Sequence, residues 1–354
     1  MPRRDLAVIR TTLLVGLLLA SAAGCVVVAS PPAGQPTAVP SVAASATAPA
    51  PPAEMATPLP PAPPAPPAPP APPTPTDVPT LTPTAPPTPT ATEVPPTEEP
   101  TALPGPTPDG VCRRLRVPIL MYHYISAAPA GANAVRTDLS LPPEKFEEQL
   151  AYLEANGYTS VSLEDLARAL QQGTPLPDKP VILTFDDGYR DHYTEAFPAL
   201  ARHGFTGTFF VVTGYLDEER PEYLSWEQAT EMHEAGMDIA SHTFTHPDLR
   251  NQTVDYLVWQ ILGSKEAIEA RTGEPVRFFC YPVGLYDAQV IEVLKALNFW
   301  GAVVTSQGLD HTNDDLFTLQ RVRVHGNYGA WELAMALEYL ANVSEEDAPC
   351  TMTP

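Results

Sequence analysis

Residues Pro180 to Gly188 read Pro-Val-Ile-Leu-Thr-Phe-Asp-Asp-Gly, and they narrow the fold of this chain more than any other stretch. Val181, Ile182 and Leu183 form a short apolar run between a proline and a glycine. That is the signature of a strand buried on both faces, as in parallel sheets. The strand delivers two adjacent carboxylates, Asp186 and Asp187, into a glycine turn. Parallel α/β folds keep their active sites at this carboxyl edge. The same pattern also occurs at an ordinary strand end with an Asp-Gly turn.

Only part of the chain can belong to that sheet. Of 354 residues 45 are proline, several times ordinary usage, and most of these precede residue 110. Residues 1–25 have the form of an export signal: Arg3, Arg4 and Arg10 precede an apolar run, Thr11 to Ala23, that is short for a membrane span. The run ends in Ala22-Ala23-Gly24-Cys25, which resembles a bacterial lipobox and makes Cys25 the candidate lipidation site, although the usual leucine is replaced by Ala22. Simple secretion and an uncleaved anchor are the rivals. Residues 26–110 are Pro/Ala/Thr-rich and hold almost nothing that could build a core. A disordered polyproline-type tether is expected there, on the order of 200 Å long if fully extended; a ligand for proline-recognition modules is its rival. Residues 111–354 are expected to form the folded domain.

Net charge is −22, and three arginines against seven acids precede residue 111, which leaves −18 on the domain. Such a field repels phosphate backbones and argues against a nucleic-acid partner.

Within the domain, strand and helix patterns alternate. Strands are expected at 117–122, 158–161, 181–185, 206–212, 237–240, 278–281, 300–305 and 316–324. Helices are expected at 142–156, from Ser162 as cap, and at 191–203, 226–235, 253–271, 288–297 and 330–340. The alternation predicts a parallel sheet with helical crossovers, closed or nearly closed into a barrel. Cys112 and Cys350 bracket the domain and are expected to be bridged outside the cytoplasm. Cys280 reads as a small buried hydrophobe.

Asp187, His242 and His246 supply three ligands of the kind a catalytic metal site uses while leaving a position for water. The histidines are spaced i, i+4, which on one helical turn places both on one face. Two histidines and a carboxylate suit zinc, with cobalt, nickel and manganese as alternatives.

Three segments then carry a family resemblance. Thr184-Phe185-Asp186-Asp187-Gly188, Ser241-His242-Thr243-Phe244-Thr245-His246 and Arg277-Phe278-Phe279-Cys280-Tyr281-Pro282-Val283-Gly284 resemble, in this order, the successive motifs of the polysaccharide deacetylases, carbohydrate esterase family 4 (the NodB-homology domain). The likeness covers most of residues 117–325. It implies a distorted (β/α)7 barrel and metal-dependent removal of acetyl groups from N-acetylated sugars. It casts Asp186 as general base, Asp187, His242 and His246 as metal ligands, and Arg277 as the arginine that orients the base. The family often has Pro-Tyr-Gly where this chain has Pro282-Val283-Gly284. The backbone N–H of Val283 can still hold an oxyanion, with Tyr281 beside it.

The acid that protonates the departing amine has two candidates. Leu120-Met121-Tyr122-His123-Tyr124 is similar to a motif of the poly-N-acetylglucosamine deacetylase branch and favours His123. Leu319 to His325 is a less clean match to the C-terminal motif and offers His325. Tyr122, Tyr124, Tyr189, Trp226, Tyr281 and Trp300 are candidate sugar platforms. The expected protein is therefore an exported, lipid-anchored deacetylase, with poly-β-1,6-N-acetylglucosamine as leading substrate. Peptidoglycan, chitin oligomers, acetylxylan and a non-catalytic glycan-binding role are the alternatives.

Overall fold

The computed structural model describes residues 105–343. The export signal, Cys25, nearly all of the proline-rich segment and Cys350 lie outside the described residues. Among the described residues no helix is long and apolar enough to cross a membrane.

Strands β1 (Arg114–Arg116), β2 (Ile119–Tyr122), β3 (Thr159–Ser160), β4 (Pro180–Phe185), β5 (Thr208–Val211), β6 (Asp238–Ser241), β7 (Phe278–Cys280), β8 (Gly301–Gln307), β9 (Asp310–Thr312) and β10 (Leu319–Arg323) follow in order. Their order in the main sheet is β2-β10-β8-β7-β6-β5-β4, and β4 pairs back with β2. All of these pairings are parallel. The described strands thus close a seven-stranded parallel barrel, with β3 as a spur on β4 and β1–β9 as a separate antiparallel ribbon. A register shift between Leu319 and Arg321, where β10 meets β8, distorts the ring.

The helices are α1 (Ala134–Asp138), α2 (Pro143–Ala155), α3 (Leu163–Gln172), α4 (Phe197–His203), α5 (Thr213–Asp217), α6 (Trp226–Glu234), α7 (Val254–Thr272), α8 (Ala288–Ala296) and α9 (Ala330–Val343). Their ends are written in the sequence. Ser162 with Asp165 and Ser225 with Gln228 form reciprocal capping boxes, so the orphan N–H groups of the first turn find acceptors. Thr253 and Asp287 cap α7 and α8. The one expected helix that is irregular is 191–203. It opens as a π-helical turn, His192–Ala196, before α4. Such turns re-aim side chains and are frequent near functional sites.

Strand alternation divides the core. Val181, Leu183 and Phe185 of β4 belong to the apolar layer that also takes in the inner faces of α2, α4 and α7. Ile182 faces the other way and packs with Ile119, Phe210, Phe278 and Val303. Continuing the period of two, Thr184 and Asp186 share the face of Ile182. The lower barrel is therefore apolar, and its upper layer holds Thr184, Asp186, His242, Cys280 and Arg321, all buried.

Outside the barrel, His203 at the end of α4 hydrogen-bonds Glu154 through Nδ1 (2.6 Å) and Glu147 through Nε2 (2.9 Å). Burial alone would lower this imidazole, but the two carboxylates outweigh it and the pKa is raised. A raised folded-state pKa stabilises the fold below the unfolded value of about 6.5 and loses that contribution as pH climbs through the folded value. We predict that His203→Gln lowers Tm at pH 5.5 and has a much smaller effect at pH 9. Thermal melts of both proteins at the two pH values check this.

Candidate functional site

The metal-ligand set is built at the carboxyl ends of β4 and β6. Asp186 continues the ladder, its N–H donating to the Tyr122 carbonyl at 2.9 Å. At Asp187 the backbone turns to φ 76°, which swings its carboxylate toward the histidine loop. Asp187 Oδ1 lies 3.4 Å from His242 Nε2 and 3.4 Å from His246 Nε2. All three donor atoms lie within 4.8 Å of one another.

The histidines do not share a helical turn. Residues 242–249 form a loop with positive φ at Thr243 (71°) and His246 (60°). Thr243 Oγ1 accepts from the His246 N–H at 2.8 Å, and Gln260 of α7 accepts from the N–H groups of Phe244 and Thr245. Pro247 and these side-chain bonds replace the helical hydrogen bonds that the i, i+4 spacing implied. Gly214 closes the loop from below: its N–H donates to the Phe244 carbonyl at 2.8 Å, and a Cβ there would sit 2.5 Å from that oxygen. Gly214→Ala is expected to cost about 1–3 kcal/mol through overpacking and to weaken metal binding. Thermal melts and metal titration of the variant check both.

The donor set fits a divalent ion. Ligand atoms about 2.1 Å from a tetrahedral metal stand about 3.4 Å apart, which is the spacing from Asp187 to each histidine. His242 Nδ1 donates to the Cys280 carbonyl at 2.7 Å, which turns Nε2 toward Asp187; burial would lower its pKa, but Cys280 and Asp187 prevail and raise it well above the ordinary imidazole value, so a metal would bind Nε2 in place of a proton. Burial, followed by the neighbouring His242, lowers His246 to about 4, so its imidazole is neutral near pH 7. Burial would raise Asp187, but the histidines around it prevail and hold it ionised. A second group, Asp186, His242 and Cys280, also lies close together, yet it shares His242 with the first.

Asp186 is held by an arginine, but not the expected one. Arg321 Nη1 and Nη2 reach its two oxygens at 2.8 and 2.7 Å. Arg321 is fully buried on β10; it also donates to Thr184 Oγ1 and the Val304 carbonyl and rests on Cys280 Sγ at 3.4 Å. Burial would raise the Asp186 carboxyl, and Arg321 brings it down to about 2 instead. Arg277 instead pairs with Glu164 of α3 at 2.6 Å and lies over Trp300. The reason is topological. Arg277 immediately precedes β7, so it stands at the amino edge of the barrel, while Asp186 follows β4 at the carboxyl edge.

His123 follows β2, and its Nε2 lies 3.9 Å from Asp186 Oδ2. Burial lowers its pKa, so the resting imidazole is neutral. The buried His192, which opens the π-helical turn, donates from Nε2 to the His123 carbonyl at 2.6 Å and fixes that backbone. His325 is engaged elsewhere, its Nδ1 bonded to Asp138 at 2.7 Å beside the Arg323–Asp138 pair. Val283 is 66% exposed and adopts φ 57°, an uncommon conformation for a β-branched residue. Strain of this kind collects at functional sites.

Four of the expected sugar platforms, Tyr122, Trp226, Tyr281 and Trp300, are core residues, and Trp226 donates from Nε1 to Asp217 at 2.8 Å. Tyr281 is fully buried, with its hydroxyl donating to the Phe317 carbonyl at 3.0 Å, and it therefore offers no substrate surface. Tyr122 is buried and donates to Gln149, and Trp300 is buried beneath Arg168 and Arg277. Tyr124 and Tyr189 do line a cavity. Cys112 is disulfide-bonded and Cys280 is a free, buried thiol. The partner of Cys112 lies outside the described residues.

A closed parallel barrel with a carboxylate–dihistidine centre and an arginine-held acid at its carboxyl edge defines a metal-dependent hydrolase. A polysaccharide deacetylase family model matches residues 173–302. YxkH of Bacillus subtilis, itself classed with the polysaccharide deacetylases, is 30% identical over 209 residues, 59% of this chain and 71% of that one. The solved structure of Streptococcus pyogenes deacetylase PplD, in complex with acetate, has a TM-score of 0.58 at 30% identity and covers 64% of this chain and 99% of its own. The poly-β-1,6-N-acetyl-D-glucosamine N-deacetylase of Escherichia coli K12 is 32% identical over 120 residues, which is 30% of this chain and 18% of that one. The chain belongs to the polysaccharide deacetylase family and is an enzyme, a hydrolase of the deacetylase type.

Proposed function

We propose that the protein removes N-acetyl groups from N-acetylglucosamine units of a polysaccharide, with Asp187, His242 and His246 holding the metal. The observation that carries this is the arrangement of those three donors beside an Asp186 clamped by Arg321. Zinc suits two imidazoles and one carboxylate best. A metal bound there would polarise the acetamide carbonyl and acidify a water. Asp186 is the general base: its oxygens are bonded to Arg321 but keep spare lone pairs for a water proton. His123 is the acid. Its neutral imidazole takes up a proton through Asp186 and gives it to the departing amine nitrogen. The Val283 N–H donates a hydrogen bond to the developing oxyanion.

His123→Gln is expected to lower kcat about a hundredfold or more, and His325→Gln to lower it by less than about threefold, because His325 serves the Asp138 pair. Steady-state acetate release by the two variants tests the assignment; equal losses would reverse it.

Poly-β-1,6-N-acetylglucosamine leads among substrates, supported by the His123 motif and by similarity to the Escherichia coli enzyme. We also propose export through residues 1–25, lipidation at Cys25, a tether over residues 26–110 ahead of the domain at 111–354, and a Cys112–Cys350 bridge. Mass analysis of non-reduced peptides checks the bridge, and a Cys112–Cys25 link would overturn both cysteine assignments at once.

A further inference from the structure

His123, Asp187 and the histidine pair stand on three separate connections, after β2, β4 and β6. Their chemistry needs them held within about 0.5 Å of one geometry. Asp187, Thr243 and His246 also take positive φ, which persists only where the surroundings over-determine it. A stack of tyrosines joins the three connections. Tyr124, next to His123, stacks on Tyr189 with ring centroids 3.6 Å apart. Tyr189, two residues past Asp187, stacks on Tyr223 at 5.3 Å. Tyr223 meets Tyr215 of α5 at 4.6 Å. A guanidinium closes each end, Arg136 over Tyr124 at 2.9 Å and Arg220 over Tyr215 at 4.0 Å.

The backbone fastens each ring in place. The Tyr124 N–H donates to the Leu139 carbonyl at 3.1 Å, and its carbonyl accepts from the Leu141 N–H at 2.9 Å. Tyr189 and Tyr223 form an antiparallel bridge, closed by Arg190 N–H to the Glu222 carbonyl and Leu224 N–H to the Gly188 carbonyl, both at 2.9 Å. The first turn of α5 donates from the Thr213 and Gly214 N–H groups to the Thr243 and Phe244 carbonyls, at 3.3 and 2.8 Å, so Tyr215 is fixed to the histidine loop. Among the described residues, Tyr124, Tyr189 and Tyr215 belong to neither apolar layer of the core. They stack on one another instead. The Tyr223 side chain forms no hydrogen bond to His123 or to a metal donor among the described residues, so it reaches them only through Tyr189 and Tyr215.

We propose that this stack sets the geometry of the metal centre, with Tyr189 and Tyr223 as positioning residues that tie the Asp187 turn to the strand end of His123 and to the histidine loop. This rests on the reading of Asp187, His242 and His246 as metal donors and of His123 as the acid.

The test is the zinc affinity of the full chain, measured by competition with a chromogenic chelator, for wild type, Tyr223→Leu and Tyr223→Phe. Tyr223→Leu removes two ring contacts and is expected to weaken zinc about tenfold, the size of effect that aromatic pairs and outer-shell partners of a metal supply. Tyr223→Phe keeps both contacts and should stay within about twofold of wild type. At saturating zinc, Tyr223→Leu should lower kcat about tenfold with KM within about twofold, because the acid and the donors are misplaced while substrate contacts remain. Tyr189→Leu should weaken zinc at least as much, and Tyr223→Leu should cost less in that background than alone, since both act through one stack. Zinc affinity unchanged in Tyr223→Leu, an equal loss in Tyr223→Phe, fully additive losses, or a raised KM with unchanged kcat would each overturn the proposal. A wild-type chain that bound no zinc would overturn the metal reading and this proposal with it, whereas tight wild-type binding that Tyr223→Leu leaves intact overturns this proposal alone.

Discussion

Arg321→Ala should abolish most deacetylation and destabilise the protein together. Arg321 is fully buried and bonds both oxygens of Asp186, which is itself buried. Removing it strands a carboxylate in the barrel interior, a loss of about 3–5 kcal/mol for a broken buried pair. Asp186 would then lose the arginine that holds its pKa down, and burial would push the pKa upward against the weaker pull of His123 and His242, leaving less of the general base ionised. We expect kcat to fall by about a hundredfold or more and Tm to drop by several degrees. Arg321→Lys separates the two effects. One ammonium keeps the charge but cannot reach both oxygens in a planar fork, so stability should recover more than activity. The pH–rate profile of this variant should shift its acidic limb upward relative to wild type; an unshifted limb would mean that Arg321 is structural only. The matching variant Arg277→Gln, which breaks the pair with Glu164 and the contact with Trp300 at the amino edge, should leave kcat within about twofold.

Asp187→Ala should remove the metal. Asp187 is the donor placed 3.4 Å from both histidine nitrogens, and no other carboxylate forms part of that set. Loss of the polarising ion costs several kcal/mol of transition-state stabilisation, about a thousandfold in rate. Metal content of the purified variant should fall well below one per chain while its far-UV spectrum stays that of wild type. Chelated wild type should lose activity and regain it on adding zinc, whereas Asp187→Ala should not respond to zinc. A variant that kept both its metal and its rate would remove Asp187 from the ligand set.

Much of this site is legible in the sequence, for identifiable reasons. The Asp186–Asp187 strand end is local, because a period-two apolar run fixes where its last residues stand. Capping at Ser162 and Asp287 is local in the same way. The histidines are legible as a pair but not as a conformation. Their loop is set by Gln260 and Gly214, neither near them in sequence. Arg321 was hidden because a strand reading Leu-Gln-Arg-Val-Arg-Val shows only that Leu319 and Arg321 share a face. That the face is the barrel interior, opposite Thr184 and Asp186, follows from ring closure through β2, β10 and β4. Arg277 misled for the converse reason: linear nearness to β7 says nothing about which edge of the barrel a residue occupies.

The measurement that bears most directly on the proposed activity is acetate release by the full chain from N-acetylglucosamine oligomers of β-1,6 and β-1,4 linkage, with and without chelator, beside Asp186→Asn. We predict release that chelator stops, that zinc restores and that Asp186→Asn lacks, with the faster linkage identifying the polymer. Release that persisted in chelator or in Asp186→Asn, or metal-loaded protein that released no acetate from either oligomer, would contradict the mechanism proposed for this site.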